Sequence, residues 1–362
     1  MKNLIIILSL LISINNSADA QGCVAVRSTG NTCSMGKADV SSKWQLNLNN
    51  RYFRSYKHFV GKEEQHHRVD SGTQVINHTY SLDLTLTRKL DNRWSLGFTL
   101  PVISNKRSSL YEHYGNASKN PNARRETRSF GIGDARISVY RWLLDPAKSA
   151  KGNIQAGLGI KLPTGDFRYQ DLFYKNDSTY LAGPVDQSIQ LGDGGTGIAV
   201  ELRGYYNISH GLGTYADFYY LINPREQNGV STARGGTPNA NAVKYFTSTM
   251  SVPDQYMARA GASYMIRRFT FSGGVRFEGI PSSDLVGGDK GFRRPGYILS
   301  AEPVISYELK KVQLYASVPF ALERNRTQSN SDKLITAATG NKTQGDAAFA
   351  DYFVNAGVTI KF

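Results

Sequence analysis

The chain closes on Tyr352-Phe353-Val354-Asn355-Ala356-Gly357-Val358-Thr359-Ile360-Lys361-Phe362, and the reading of this stretch decides the fold. In an extended strand, Tyr352, Val354, Ala356, Val358, Ile360 and Phe362 share one face, while Phe353, Asn355, Gly357, Thr359 and Lys361 share the other. One face is apolar and ends on an aromatic ring. The other is mostly polar or small. A strand with lipid on one side and a hydrated interior on the other has this pattern, and it predicts the closing strand of an antiparallel, up-and-down transmembrane β-barrel of the bacterial outer-membrane type.

The N-terminus agrees. Met1-Lys2-Asn3 leads into the apolar run Leu4–Ile12, too short to cross a bilayer as a helix, and Ala18-Asp19-Ala20 is a small-x-small cleavage pattern. The expected organisation is a signal peptide over 1–20, a periplasmic segment over 21–42 and the barrel over 43–362. No linker or composition shift divides that last part. A hydrophobic fraction of 40% and a mean hydropathy of −0.38 resemble a soluble protein, as they do in a barrel whose interior and lipid-facing residues alternate.

Cys23 and Cys33 are the two cysteines, and an exported, oxidising setting favours a disulfide between them. Lipidation of Cys23 is the weaker alternative, since Ala20 stands where an apolar residue is usual. The net charge of +14 points to acidic partners such as lipopolysaccharide phosphates or anionic solutes, with simple solubility as the plainer reading. Export argues against nucleic acid.

Working back from the last strand, twelve candidate strands lie near 43–59, 75–89, 94–107, 130–144, 153–165, 196–207, 212–222, 254–266, 269–279, 296–309, 312–321 and 349–362. In 153–165, Ile154, Ala156, Leu158, Ile160 and Leu162 oppose Gln155, Gly157, Gly159 and Lys161. Short joins alternate throughout with long polar ones at 60–74, 108–129, 166–195, 223–253, 280–295 and 322–348. That is the layout of periplasmic turns and extracellular loops, with both termini in the periplasm. Trp44, Trp94 and Trp142 then fall at the periplasmic rim with Tyr264, Phe269, Tyr307 and Phe362, where amphipathic rings prefer to lie. Trp142 has the parity of an interior residue, which a bulge would resolve.

The polar faces give the candidate site. Asp134, Arg136, Lys161, Glu201, Arg203, Asp217, Arg259, Arg276, Glu278 and Glu302 point inward as pore-lining residues, together with Arg51 and Asp83. On the lipid face such charges would each cost ~2–4 kcal/mol at the midplane. Asp134/Arg136, Glu201/Arg203 and Arg276/Glu278 are each spaced two apart and share a face. They read as a salt-bridge lattice, a solute filter, or both. Tyr169, Phe173, Tyr174 and Tyr180 make the 166–195 loop aromatic, so it is a candidate lining for an apolar solute.

Catalysis finds little support. His58, His66, His67, His113 and His210 lie in or beside loops and turns, His78 points to lipid, and no nucleophile or paired-carboxylate signature accompanies them. The adjacent His66-His67 reads as solvated, so no metal or other cofactor is expected. Gly192-Asp193-Gly194-Gly195-Thr196-Gly197 lacks the Lys and the helix of a phosphate loop and reads as a bend before a strand.

Gly131-Ile132-Gly133-Asp134-Ala135-Arg136, Tyr140-Arg141-Trp142-Leu143-Leu144 and Gly157-Leu158-Gly159-Ile160-Lys161-Leu162-Pro163-Thr164-Gly165-Asp166 follow in order. Over roughly residues 130–210 this series resembles the outer-membrane family named for the meta-pathway of phenol degradation. The resemblance implies a barrel that moves hydrophobic or aromatic compounds across the outer membrane. Independently of it, Pro163 lacks an N–H and Gly165 tolerates positive φ, so strand pairing is expected to end there, with Asp134 and Lys161 as neighbours. The expected protein is a monomeric channel for small solutes in the bacterial outer membrane. A plugged surface or assembly scaffold, with a periplasmic or surface partner, is the alternative.

Overall fold

The computed structural model describes residues 42–113, 119–120 and 122–362. The expected signal peptide, nearly all of the expected periplasmic segment and the expected Cys23–Cys33 pairing lie outside the described residues. The fold is a closed antiparallel barrel of twelve strands. They are β1 (Trp44–Val60), β2 (Ile76–Lys89), β3 (Trp94–Leu110), β4 in two pieces (Arg124–Ile132 and Arg136–Trp142), β5 (Gly152–Lys161), β6 (Gly197–Ser209), β7 (Leu212–Ile222), β8 (Gln255–Ile266), β9 (Phe269–Ile280), β10 (Gly296–Glu308), β11 in two pieces (Val312–Ser317 and Phe320–Arg326) and β12 (Ala347–Lys361).

The C-terminal strand closes the barrel. β12 pairs with β1 from Gln45↔Lys361 to Phe59↔Ala347, with irregularities near Ser55. Its parity is as read: Tyr352 and Phe362 are exposed on the wall, and Phe353 is fully buried inside.

Two strands differ from their predicted forms, each for a proline-related reason. The fourth starts at Arg124, earlier than expected, and breaks at 133–135. Opposite the break stands Pro101 of β3, which has no N–H to offer and only accepts from Gly133 N at 2.8 Å. The eleventh breaks at Val318-Pro319 and then continues to Arg326, where only Phe320↔Tyr352 joins its upper piece to β12. β5 ends at Lys161, so Pro163 and Gly165 stop it as expected. The upper piece of β4 therefore rises above its neighbour, and this geometry admits the third external loop.

Trp142 is a correction. The β4–β5 register runs without a bulge from Arg136↔Lys161 to Trp142↔Gln155. Trp142 keeps its interior parity and packs edge-on against Tyr205, ring centres 5.9 Å apart. Trp94, Tyr264, Phe269 and Phe362 are exposed at the rim as predicted.

The external loops span 61–75, 111–123, 162–196, 223–254, 281–295 and 327–346. They contain helices α1 (His66–Asp70), α2 (Ala240–Lys244) and α3 (Asn330–Thr339). α3 starts on a capping box between Ser329 and Asp332 and stops at Gly340, whose φ is 73°. The third loop folds a hairpin from Gln170–Tyr174 and Tyr180–Pro184, and then turns inward. The interior holds only small apolar clusters, such as Phe59, Ile298, Ala347 and Phe349. Most of it is polar.

Candidate functional site

Along a strand, every second side chain enters the barrel, and the inward set of β4 to β10 is charged. Two lattices follow from the strand register. In the first, Arg203 Nη2 donates to Glu201 Oε2 at 2.8 Å, and Tyr140 Oη donates to Glu201 Oε1 at 3.1 Å. Arg136 Nη1 lies 3.9 Å from the same carboxylate. Arg136 also stacks over Tyr219, and Arg203 over Tyr140, each at 5.3 Å.

In the second lattice, Asp217, Arg259 and Arg276 are successive register partners across β7, β8 and β9. Two arginines directly opposite repel. Glu302 on β10 reaches both, at 3.4 Å from Arg259 and 3.9 Å from Arg276. Arg259 Nε donates to Asp217 at 2.6 Å, and Arg276 Nη2 donates to Glu278 at 2.8 Å. Arg276 and Arg51 flank the Phe353 ring at 5.2 and 5.4 Å. Pairing and hydrogen bonding offset the desolvation cost that isolated buried charges would carry.

Asp134 and Lys161 meet at 3.5 Å, as the motif suggested. Asp134 does not share a strand face with Arg136, however, because it sits in the break of β4. From there its Oδ1 accepts from Gly165 N at 3.0 Å and its Oδ2 from Asp193 N at 3.1 Å. Lys161 Nζ also bonds the Asp193 carboxylate. Gly192 and Asp193 thus lie against the inner wall, and the run bends at Gly194 before β6 starts at Gly197, as expected.

Beneath this inward loop is a cavity of about 210 Å³. Arg51, Asp83, Arg136 and Lys161 of the barrel strands and Asp134 of the β4 break line it, with Tyr219 and Pro101 as apolar surface. Among the described residues, no donor reaches Asp83 Oδ1. Gln187, Gln190, Leu191 and Asp193 of the third loop and Arg294 of the fifth complete its lining. The other predicted residues, Glu201, Arg203, Asp217, Arg259, Arg276, Glu278 and Glu302, form the lattices around it. The loop aromatics do not line it. Phe173 is buried under Arg234, and Tyr174 packs on Tyr180 within the hairpin.

Sequence reasoning missed the clasp that holds the loops in place. Arg294 grips Asp186 with two bonds of 3.0 and 2.9 Å. Arg107 and Arg234 lie 3.6 and 3.8 Å from the same carboxylate, and Arg234 reaches Glu112 at 3.4 Å. Burial alone would raise the Asp186 carboxyl, but the Arg107 and Arg294 guanidiniums override it and hold the group well below the usual carboxylate range. These residues come from the wall and four loops, without shared periodicity. The one local signal was Asp186-Gln187-Ser188, where Asp186 caps a short helical turn.

An outer-membrane channel of the COG4313 group from Pseudomonas putida F1 has a TM-score of 0.60 to this structure at 10% identity, over 92% of this chain and 99% of that one. A FadL homologue from Pseudomonas aeruginosa (TM-score 0.41, 9% identity, 89% and 91% covered) and the toluene transporter TbuX from Ralstonia pickettii (0.40, 10%, 89% and 90%) are looser likenesses. No protein-family model and no curated protein sequence matches the chain. The fold is that of outer-membrane β-barrels. The phenol-degradation resemblance has no further support beyond its motif.

Proposed function

We propose that the protein is a passive outer-membrane channel for small solutes, held closed in this conformation by its third external loop. The observation that carries the reading is the cavity inside the barrel, lined by charged wall residues and by residues 187–193 of the third loop, which narrow the passage there. A cavity of ~150 Å³ accommodates benzene. About 210 Å³ therefore suits a single-ring solute or one of similar size. Arg51, Arg136, Lys161 and Arg294 face Asp83, Asp134 and Asp193 around it, so a solute with one polar or anionic group beside an apolar body finds partners for both. The signal peptide, the periplasmic Cys23–Cys33 disulfide and a monomeric state belong to the same proposal.

Refolded protein in a planar bilayer tests it through conductance and through the reversal potential under a salt gradient. Steady or flickering openings with an ionic preference support the channel. The loops also permit a second reading, a plugged scaffold, because residues 187–193 cross the interior. A folded barrel that stays silent even when that loop is displaced would favour the scaffold.

A further inference from the structure

The channel reading leaves one feature of the outer wall unused. Arg54 is the register partner of His78, His78 of Lys106, and Lys106 of Arg128, across β1 to β4. All four share the parity of Tyr52, Tyr80 and Phe130, which are exposed on the wall, so the row faces away from the interior. Neighbouring strands lie ~4.8 Å apart, so the row spans roughly 15 Å. Lys106 and Arg128 share Glu126, at 2.9 and 3.0 Å, yet their side chains remain 43% and 67% exposed. Arg54 lies over the Tyr56 ring at 4.2 Å, and the Tyr52 hydroxyl meets His78 Nδ1 at 2.8 Å. The Asp171 carboxylate also accepts from Arg128 N at 2.6 Å, so three fixed cations stand against two carboxylates and the row keeps a net positive charge.

Its height decides what it meets. The next outward level down is Tyr52, Tyr80, Ser104 and Phe130, and the one below is Asn50, Leu82, Val102 and Ile132. Trp44 and Arg88 are register partners at the other rim, ten residues below Arg54 and His78. Ten residues of strand rise ~33 Å, which at a tilt of ~40° is ~25 Å, the height of an outer-membrane apolar band. The row therefore sits where the acyl chains of the outer leaflet end and its headgroups begin. On the far side of the barrel, the external row Tyr220, Tyr256, Gly279 and Tyr297 carries no Arg or Lys.

We propose that Arg54, His78, Lys106 and Arg128 form a docking site for the phosphate groups of the outer leaflet's glycolipid, lipid A, with its acyl chains along the apolar strip beneath. This rests on the outer-membrane placement inferred above. A phosphate is the anion that Arg and Lys bind best, through charge-assisted bonds. Rings at the level just below hold the wall at the boundary between headgroup and chain.

The test uses the purified, refolded barrel, exposed in turn to bis-phosphorylated lipid A, dephosphorylated lipid A, phosphatidylglycerol and inorganic phosphate, with retained lipid counted by native mass spectrometry. Bis-phosphorylated lipid A should be retained preferentially and should resist competition by inorganic phosphate. Combining Arg54→Gln, Lys106→Gln and Arg128→Gln should weaken it on the order of a hundredfold. Arg88→Gln with Arg141→Gln, at the opposite rim, should leave it unchanged. Heat-modifiable migration on gels reports that each barrel is folded, and the three single variants serve if the triple does not fold. Equal retention of the dephosphorylated lipid or of phosphatidylglycerol, full displacement by inorganic phosphate, or an unaffected triple variant would each overturn the proposal. Failure of the wild-type barrel to insert into bilayers would instead overturn the membrane placement, and this proposal with it.

Discussion

Asp134 and Gly192 meet so closely that only a hydrogen fits between them: a Cβ on Gly192 would lie 2.3 Å from Asp134 Oδ1. One residue sits in the break of β4 and the other in the third external loop, so the contact fastens the loop inside the wall. Gly192→Val should expel the loop and raise single-channel conductance severalfold. Gly273→Ala, at a wall position with nothing within 4 Å of the added carbon, is the matched control and should conduct as wild type. Unchanged conductance in Gly192→Val would argue against the loop as the constriction.

Arg276 is the hub of the second lattice. Arg276→Met takes the guanidinium from Glu278 and leaves Glu302 with Arg259 as its nearby arginine; the two carboxylates are 0% and 2% exposed. Removing one partner of a buried ion pair costs ~3–5 kcal/mol. Urea unfolding in lipid vesicles, followed by tryptophan fluorescence, should show a loss of that size. Adding Glu302→Gln should recover part of it, because the two sites share one network. Additive losses would mean that the lattice is not coupled.

Ionic preference should follow the interior charges. Arg136→Ala combined with Arg276→Ala removes one cation from each lattice, and should lower anion preference in the reversal potential. Folded protein with unchanged selectivity would show that ions take a path away from these residues.

The loop clasp should resist mild acid. Asp186 is depressed in the folded state, so its stabilising contribution is complete above its unfolded value of ~3.9 and is lost as pH falls through the folded one. Channel behaviour should therefore be constant from about pH 8 to pH 5 and loosen only below about pH 4. Asp186→Asn removes the carboxylate that Arg107, Arg234 and Arg294 share, and should show the loosened behaviour already at neutral pH. Loss of closure near pH 6 in the wild type would point to a different titrating group.

Alternation along the chain was enough to read the barrel, because a strand between lipid and a hydrated interior must change character at every residue. It placed Phe353 inside and Tyr352 outside, and it picked out the inward ions Glu201, Arg203, Arg276 and Glu278 before any coordinates. Parity says nothing about stagger between strands, so it did not reveal that Arg136 pairs with Glu201, or that Glu302 bridges Arg259 and Arg276. It gave Trp142 an interior parity that the register obeys, and the misjudgement was the bulge expected there to turn the ring toward lipid. The loops lay beyond its reach. Asp186, Asp193, Arg234 and Arg294 have no period to betray them. They meet because β5 ends at Lys161 while β4 rises past it, and the opening this leaves is filled by chain that only the tertiary structure brings there.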